Sequence, residues 1–75
     1  MTGINRGRYA VTLGGPWALY TRALPGWEML GTIHRGMEIG ALARSPVGLL
    51  AQVNAGAVRP LDQGKAAAAI AAAPQ

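Results

Sequence analysis

Seventy-five residues make one domain near the lower size limit for a chain that folds without help. With no cysteine and a single histidine, a disulfide framework, a thiolate metal site and a self-contained zinc cluster are excluded. The net charge is +4 and six of the seven cations are arginine, a side chain suited to bidentate contact with phosphate or carboxylate, so an anionic partner is favoured.

The apolar fraction of 51% is rich in alanine and contains no phenylalanine, so large core-forming side chains are scarce. One small sheet barely offsets chain entropy from such a core, and a homo-oligomer, in which a second subunit supplies buried area, is expected. The opening MTGINRGRYA has no apolar run behind its arginines, unlike a secretory signal. The longest uncharged stretches, residues 9–21 and 45–58, fall short of the ~20 residues that span a bilayer. A soluble, cytoplasmic protein with no membrane association is the expectation.

Residues 1–7 read as a loose terminus. Residues 8–13 alternate, with Tyr9, Val11 and Leu13 on one face and Arg8, Ala10 and Thr12 on the other, as in a half-buried strand. Gly14-Gly15-Pro16 turns the chain. Residues 17–24, WALYTRAL, are ambiguous: as a helix they gather Trp17, Tyr20 and Leu24, but their shortness and their Trp, Tyr and Thr content favour a strand. Residues 27–34 are equally ambiguous, and Gly31 hints at a bulge or a close backbone approach.

The clearest β signal runs from Gly36 to Asp62. In residues 37–44, Met37, Ile39, Ala41 and Ala43 share one face, and Glu38, Gly40, Leu42 and Arg44 share the other. Ser45-Pro46-Val47-Gly48 has turn chemistry. A second strand follows over residues 49–54, then a turn at Asn54-Ala55-Gly56, in which Asn and Gly tolerate left-handed backbone. Residues 57–61 form a third strand, and Pro60 places it at an edge. Asp62 is an N-cap for the alanine-rich stretch that follows, whose thin apolar stripe is Ala66, Ala69, Ile70 and Ala73. The predicted fold is mainly β (α+β): a small antiparallel sheet, rolled or barrel-like, of about five strands, with one C-terminal helix over residues 62–73.

Gly40, Leu42, Arg44, Gly48, Gln52, Val53, Asn54, Gly56, Val58, Arg59, Leu61 and Asp62, followed by an alanine-rich helix, form one spaced pattern. In it the chain resembles, from residue 40 to 73, a group of short uncharacterised proteins of plasmids, integrated elements and phages. The resemblance implies a mobile-element origin and brings no chemistry with it.

Catalysis has little to stand on. His34 has only Glu28 and Glu38 near it in sequence to act as an orienting acid, and no nucleophile is marked. No glycine pattern matches a phosphate-cradling loop, and no cofactor is implied. A non-catalytic binding protein remains. In one reading Arg6, Arg8, Arg22, Arg44 and Arg59 contact the phosphates of a nucleic acid, while Gln52 and Asn54, near Arg44 across the first turn, read nucleotides or a backbone. The plainer alternative is that Asn54 caps its turn and Gln52 is solvated. Tyr9, Trp17, Tyr20 and Trp27 are either a stacking platform or core fillers, with the core favoured for at least two. A second reading is a protein-binding inhibitor or adaptor, such as an anti-CRISPR-like product of a phage or plasmid that blocks a host defence complex. A third is a structural homo-oligomer. Arginines clustered on one face would favour nucleic acid, and dispersed arginines a protein partner.

Overall fold

The computed structural model describes residues 9–73. One antiparallel sheet takes five strands in chain order: β1 (Ala10–Leu13), β2 (Glu28–Arg35), β3 (Glu38–Arg44), β4 (Leu50–Asn54) and β5 (Ala57–Pro60). Helix α1 (Gln63–Ala72) follows. The mainly-β class with one C-terminal helix is as expected. Closure into a barrel is not: β1 and β5 stay unpaired with each other. Both are only four residues long, and Pro60 in β5 lacks the amide that a closing ladder would use. The loose terminus expected over residues 1–7 lies outside the described residues, as do Arg6 and Arg8.

The strand expected over residues 17–24 is absent. Trp17–Leu19 forms a single 3-10 turn, closed by Leu19 N–H to the Pro16 carbonyl (3.0 Å) and Tyr20 N–H to the Trp17 carbonyl (2.9 Å). Irregular chain follows. The spacing of three and four that gathers Trp17, Tyr20 and Leu24 wins, because all three pack together onto the sheet.

Residues 27–34 resolve as β2, with an irregularity between Met29 and Gly31 where one residue is inserted against β3. Gly31 is there because backbone is in the way. A Cβ on it would overlap the Thr12 carbonyl oxygen and press on Leu13 Cα in β1. The 45–48 turn forms as read, with the Ser45 carbonyl accepting from Gly48 N–H (2.9 Å) and Ser45 Oγ accepting from Leu49 N–H (2.9 Å). In the 54–56 turn the left-handed residue ahead of the glycine is Ala55 (φ +50°) rather than Asn54.

Alternation puts two cores on one sheet. On the helix face, Val11, Ile33, Leu42 and Leu50 meet Leu61, Ala66 and Ala73, with Tyr9, Leu13, Leu30, Ala69 and Ile70 half-buried around them. On the opposite, aromatic face, Ala41, Ala43 and Val53, with Met29 beside them on β2, lie under Trp17, Tyr20, Leu24 and Trp27. The helix is fastened at its start. Asp62 caps it by accepting from Lys65 N–H (2.9 Å). Gln63 then imitates a peptide group: its Oε1 accepts from Leu50 N–H (2.8 Å), and its Nε2 donates to the carbonyls of Leu50 (2.9 Å) and Leu61 (2.7 Å). This side chain extends the ladder of β4 by one rung and sets α1 across the helix face.

Candidate functional site

Antiparallel connection sends the Gly36-Met37 and Ala55-Gly56 turns to the same end of the sheet, away from the turn at 45–48. At this turn end α1 no longer covers the helix face, and a polar cluster takes its place. Gln52 lies across from Leu42 on one side and Arg59 on the other. It is only 1% exposed. Its Oε1 accepts from Arg35 Nη1 (3.3 Å), and its Nε2 donates to Asn54 Oδ1 (3.0 Å). Asn54 Nδ2 in turn donates to the Ile39 carbonyl (2.7 Å). Both amides are therefore spent on the fold: neither the solvated glutamine nor the turn-capping asparagine is found. They can lie so flat because Gly40 is beneath them, where a Cβ would collide with Asn54 Oδ1.

Arg35, Arg44 and Arg59 share the helix face, the arrangement expected of a nucleic-acid binder, but each has a partner there. Arg59 Nη1 contacts both Glu38 carboxylate oxygens (3.0 and 3.1 Å), bridging β5 to β3 over β4. Arg44 opposes Leu50 rather than Gln52, at the far end of β3, with its Nε 3.5 Å from Glu28. Arg35 lies 5.5 Å from the Tyr9 ring centroid, a cation–π distance, besides its bond to Gln52. Among the described residues Arg22 is the arginine with none of these partners. The structure thus brings Gln52, Asn54 and Arg59 together and leaves Arg44 and Arg22 apart. Arg6 and Arg8 lie outside the described residues. Arg35 and Glu38 belong with the cluster and were missed by sequence reasoning. Their signal was the two-residue turn Gly36-Met37, which forces the residues flanking it into cross-strand register.

The four rings build no shared platform, since Tyr9 packs on the helix face and Trp17, Tyr20 and Trp27 on the other. His34 sits opposite Ala10 and Ile39 in register, on the aromatic face. Glu28 and Glu38, of the other parity, spend their carboxylates on Arg44 and Arg59. His34 and the two glutamates weighed with it from sequence do not converge. Among the described residues no three His, Asp or Glu side chains approach closely enough to hold a metal. No helix among them is long and apolar enough to cross a membrane.

The turn end also exposes apolar side chains. Met37 is fully exposed in its turn, and Leu19 on the 3-10 turn is 77% exposed. Ile39 and Val58 are partly exposed where β3 and β5 reach the same end. Leu19 also lines an open groove of about 670 Å³ between residues 18–24 and the Ala55-Gly56 turn. Compared with family models, curated proteins and solved structures, the chain has no match.

Proposed function

We propose that this chain is a non-catalytic binding protein whose partner is a polypeptide, engaged at the turn end of the sheet. One observation carries the reading: Leu19, Met37, Ile39 and Val58 are exposed at that end, while Arg44 and Arg59 are occupied by glutamates. Apolar side chains with methionine among them, beside the single Arg59–Glu38 pair of this end, suit a protein interface. A phosphate backbone asks for several uncommitted cations on one track. An inhibitor or adaptor of a mobile element, the origin that the resemblance over residues 40–73 implies, needs only such a surface.

Nucleic acid is the second reading, favoured by the net charge of +4. Two measurements separate them. Immobilised wild-type protein is compared with a Leu19→Asp/Met37→Asp double variant and with Val47→Asp, a control at an equally exposed apolar residue of the opposite end. A protein retained by wild type and Val47→Asp but lost with the double variant is the expected outcome. Fluorescence anisotropy with labelled DNA and RNA at several salt concentrations is expected to show no binding. Binding that weakens as a power of salt, with the capture experiment empty, overturns the polypeptide reading. Sedimentation of the pure protein shows whether the partner is a second copy of the chain.

A further inference from the structure

The groove beside residues 18–24 has more character than an apolar recess. One wall is Leu19, Tyr20, Thr21 and Arg22, and the other is the Ala55-Gly56 turn. The walls are tied together by Ala55 N–H to the Tyr20 carbonyl (2.7 Å) and by Gly56 N–H to Thr21 Oγ1 (3.3 Å). Thr21 is buried and immediately precedes Arg22, so the backbone that carries Arg22 is held fixed. The three acids of the chain are committed elsewhere: Glu28 to Arg44, Glu38 to Arg59, and Asp62 to the start of α1. Arg22 is thus a planar, permanently charged donor at a preformed groove, with no carboxylate of the described residues on it.

We propose that this groove is a carboxylate-binding subsite, in which Arg22 takes an aspartate or glutamate side chain of the partner and Leu19 takes the apolar side chain beside it. The proposal rests on the polypeptide reading above and names what the partner must present. A guanidinium grips a carboxylate through two parallel N–H···O bonds. Thr21 Oγ1, which accepts from Gly56, keeps its own proton to donate. The apolar wall argues for an acidic side chain with an apolar neighbour. Among the described residues, a phosphate chain would find only Arg22 lining this groove.

The test is a backbone-amide NMR titration of the full chain at low salt with the capped peptide acetyl-Leu-Glu-Leu-amide. The amides of Arg22, Ala55 and Gly56 should shift saturably. The glutamine peptide acetyl-Leu-Gln-Leu-amide, and the Arg22→Gln variant with the glutamate peptide, should each bind at least about fivefold more weakly, the difference between a charge-assisted and a neutral hydrogen bond. Arg22→Lys should recover part of the loss. Equal response to both peptides, no response at all, or indifference to Arg22→Gln overturns the subsite. A stronger shift of the same amides by a short thymidine oligonucleotide overturns it too, in favour of phosphate. The two failures are distinguishable: partner capture that depends on Leu19 and Met37 but not on Arg22 removes the subsite and leaves the polypeptide reading standing.

Discussion

The two faces of the sheet solve one packing problem in opposite ways. On the helix face the sheet supplies most of the bulk, with Val11, Ile33, Leu42 and Leu50, and the cover supplies mainly small groups, with Ala66, Ala69 and Ala73 beside Leu61 and Ile70. On the aromatic face the sheet is thin, with Ala41, Ala43 and Val53, and the cover is bulky, with Trp17, Tyr20, Leu24 and Trp27. Interiors pack to a nearly constant density, so where two layers approach closely the bulk of one is matched by small groups on the other. A regular helix with alanines facing inward can approach large strand side chains closely. An irregular segment has no such smooth surface and reaches down with long rings. This also explains how a chain without phenylalanine fills two cores: most of its large residues stand on the sheet at one face and in the cover at the other.

If that division is right, emptying the bulky side of the helix face is the costliest single change. Leu42 is completely buried under α1. Leu42→Ala should cost about 2–5 kcal/mol, because the fixed helix cannot collapse into the cavity. That is a large share of the stability of so small a domain. Urea denaturation followed by circular dichroism measures it. A loss below about 1 kcal/mol would mean that helix and strand close the gap together, against the layered account.

Overfilling separates the faces more sharply. Ala66 and Ala43 are both fully buried, one in the cover of the helix face and one in the floor of the aromatic face. Ala66→Leu and Ala43→Leu should each destabilise by about 1–3 kcal/mol. Only Ala43→Leu should change native tryptophan fluorescence, since Trp17 and Trp27 both cover the aromatic face. Ala66→Leu should instead accelerate amide exchange in α1 and leave the emission in place. A fluorescence change in both would show the two cores to be coupled through the sheet.

The same contrast explains what could be read from the residues alone. The stretch from Met37 to Asp62 is legible because alternation, two turns and a cap agree, and Leu42 and Ala41 land on the faces that period two assigns them. Trp17 to Leu24 is not legible as a strand because its residues obey tertiary packing: they bridge the sheet, and only their spacing onto one surface survives. Of the site, the turn register over Gly36-Met37 and Ala55-Gly56 contained the meeting of Arg35 with Glu38 and of Gln52 with Arg59. The burial of Gln52 was hidden, because Gln52 owes it to the bare backbone of Gly40 on the adjacent strand. The contact of Arg59 with Glu38 was hidden too, since it skips a strand.

That strand-skipping pair offers the smallest and most selective test. Arg59 and Glu38 are each about half exposed, so solvent screens them, and a double-mutant cycle of Arg59→Ala and Glu38→Ala should give a coupling of only about 0.2–1 kcal/mol. It should vanish as salt shortens the range of charge interactions. The informative part is what stays constant. Gln52 and Asn54 bond to each other, to Arg35 and to the Ile39 carbonyl without help from the pair, so their side-chain amide signals should keep their protection from exchange in Arg59→Ala. Lost protection would make the ion pair a lid that keeps water off Gln52. Retained protection would make it a surface contact whose two charges a partner at the turn end can separate at little cost.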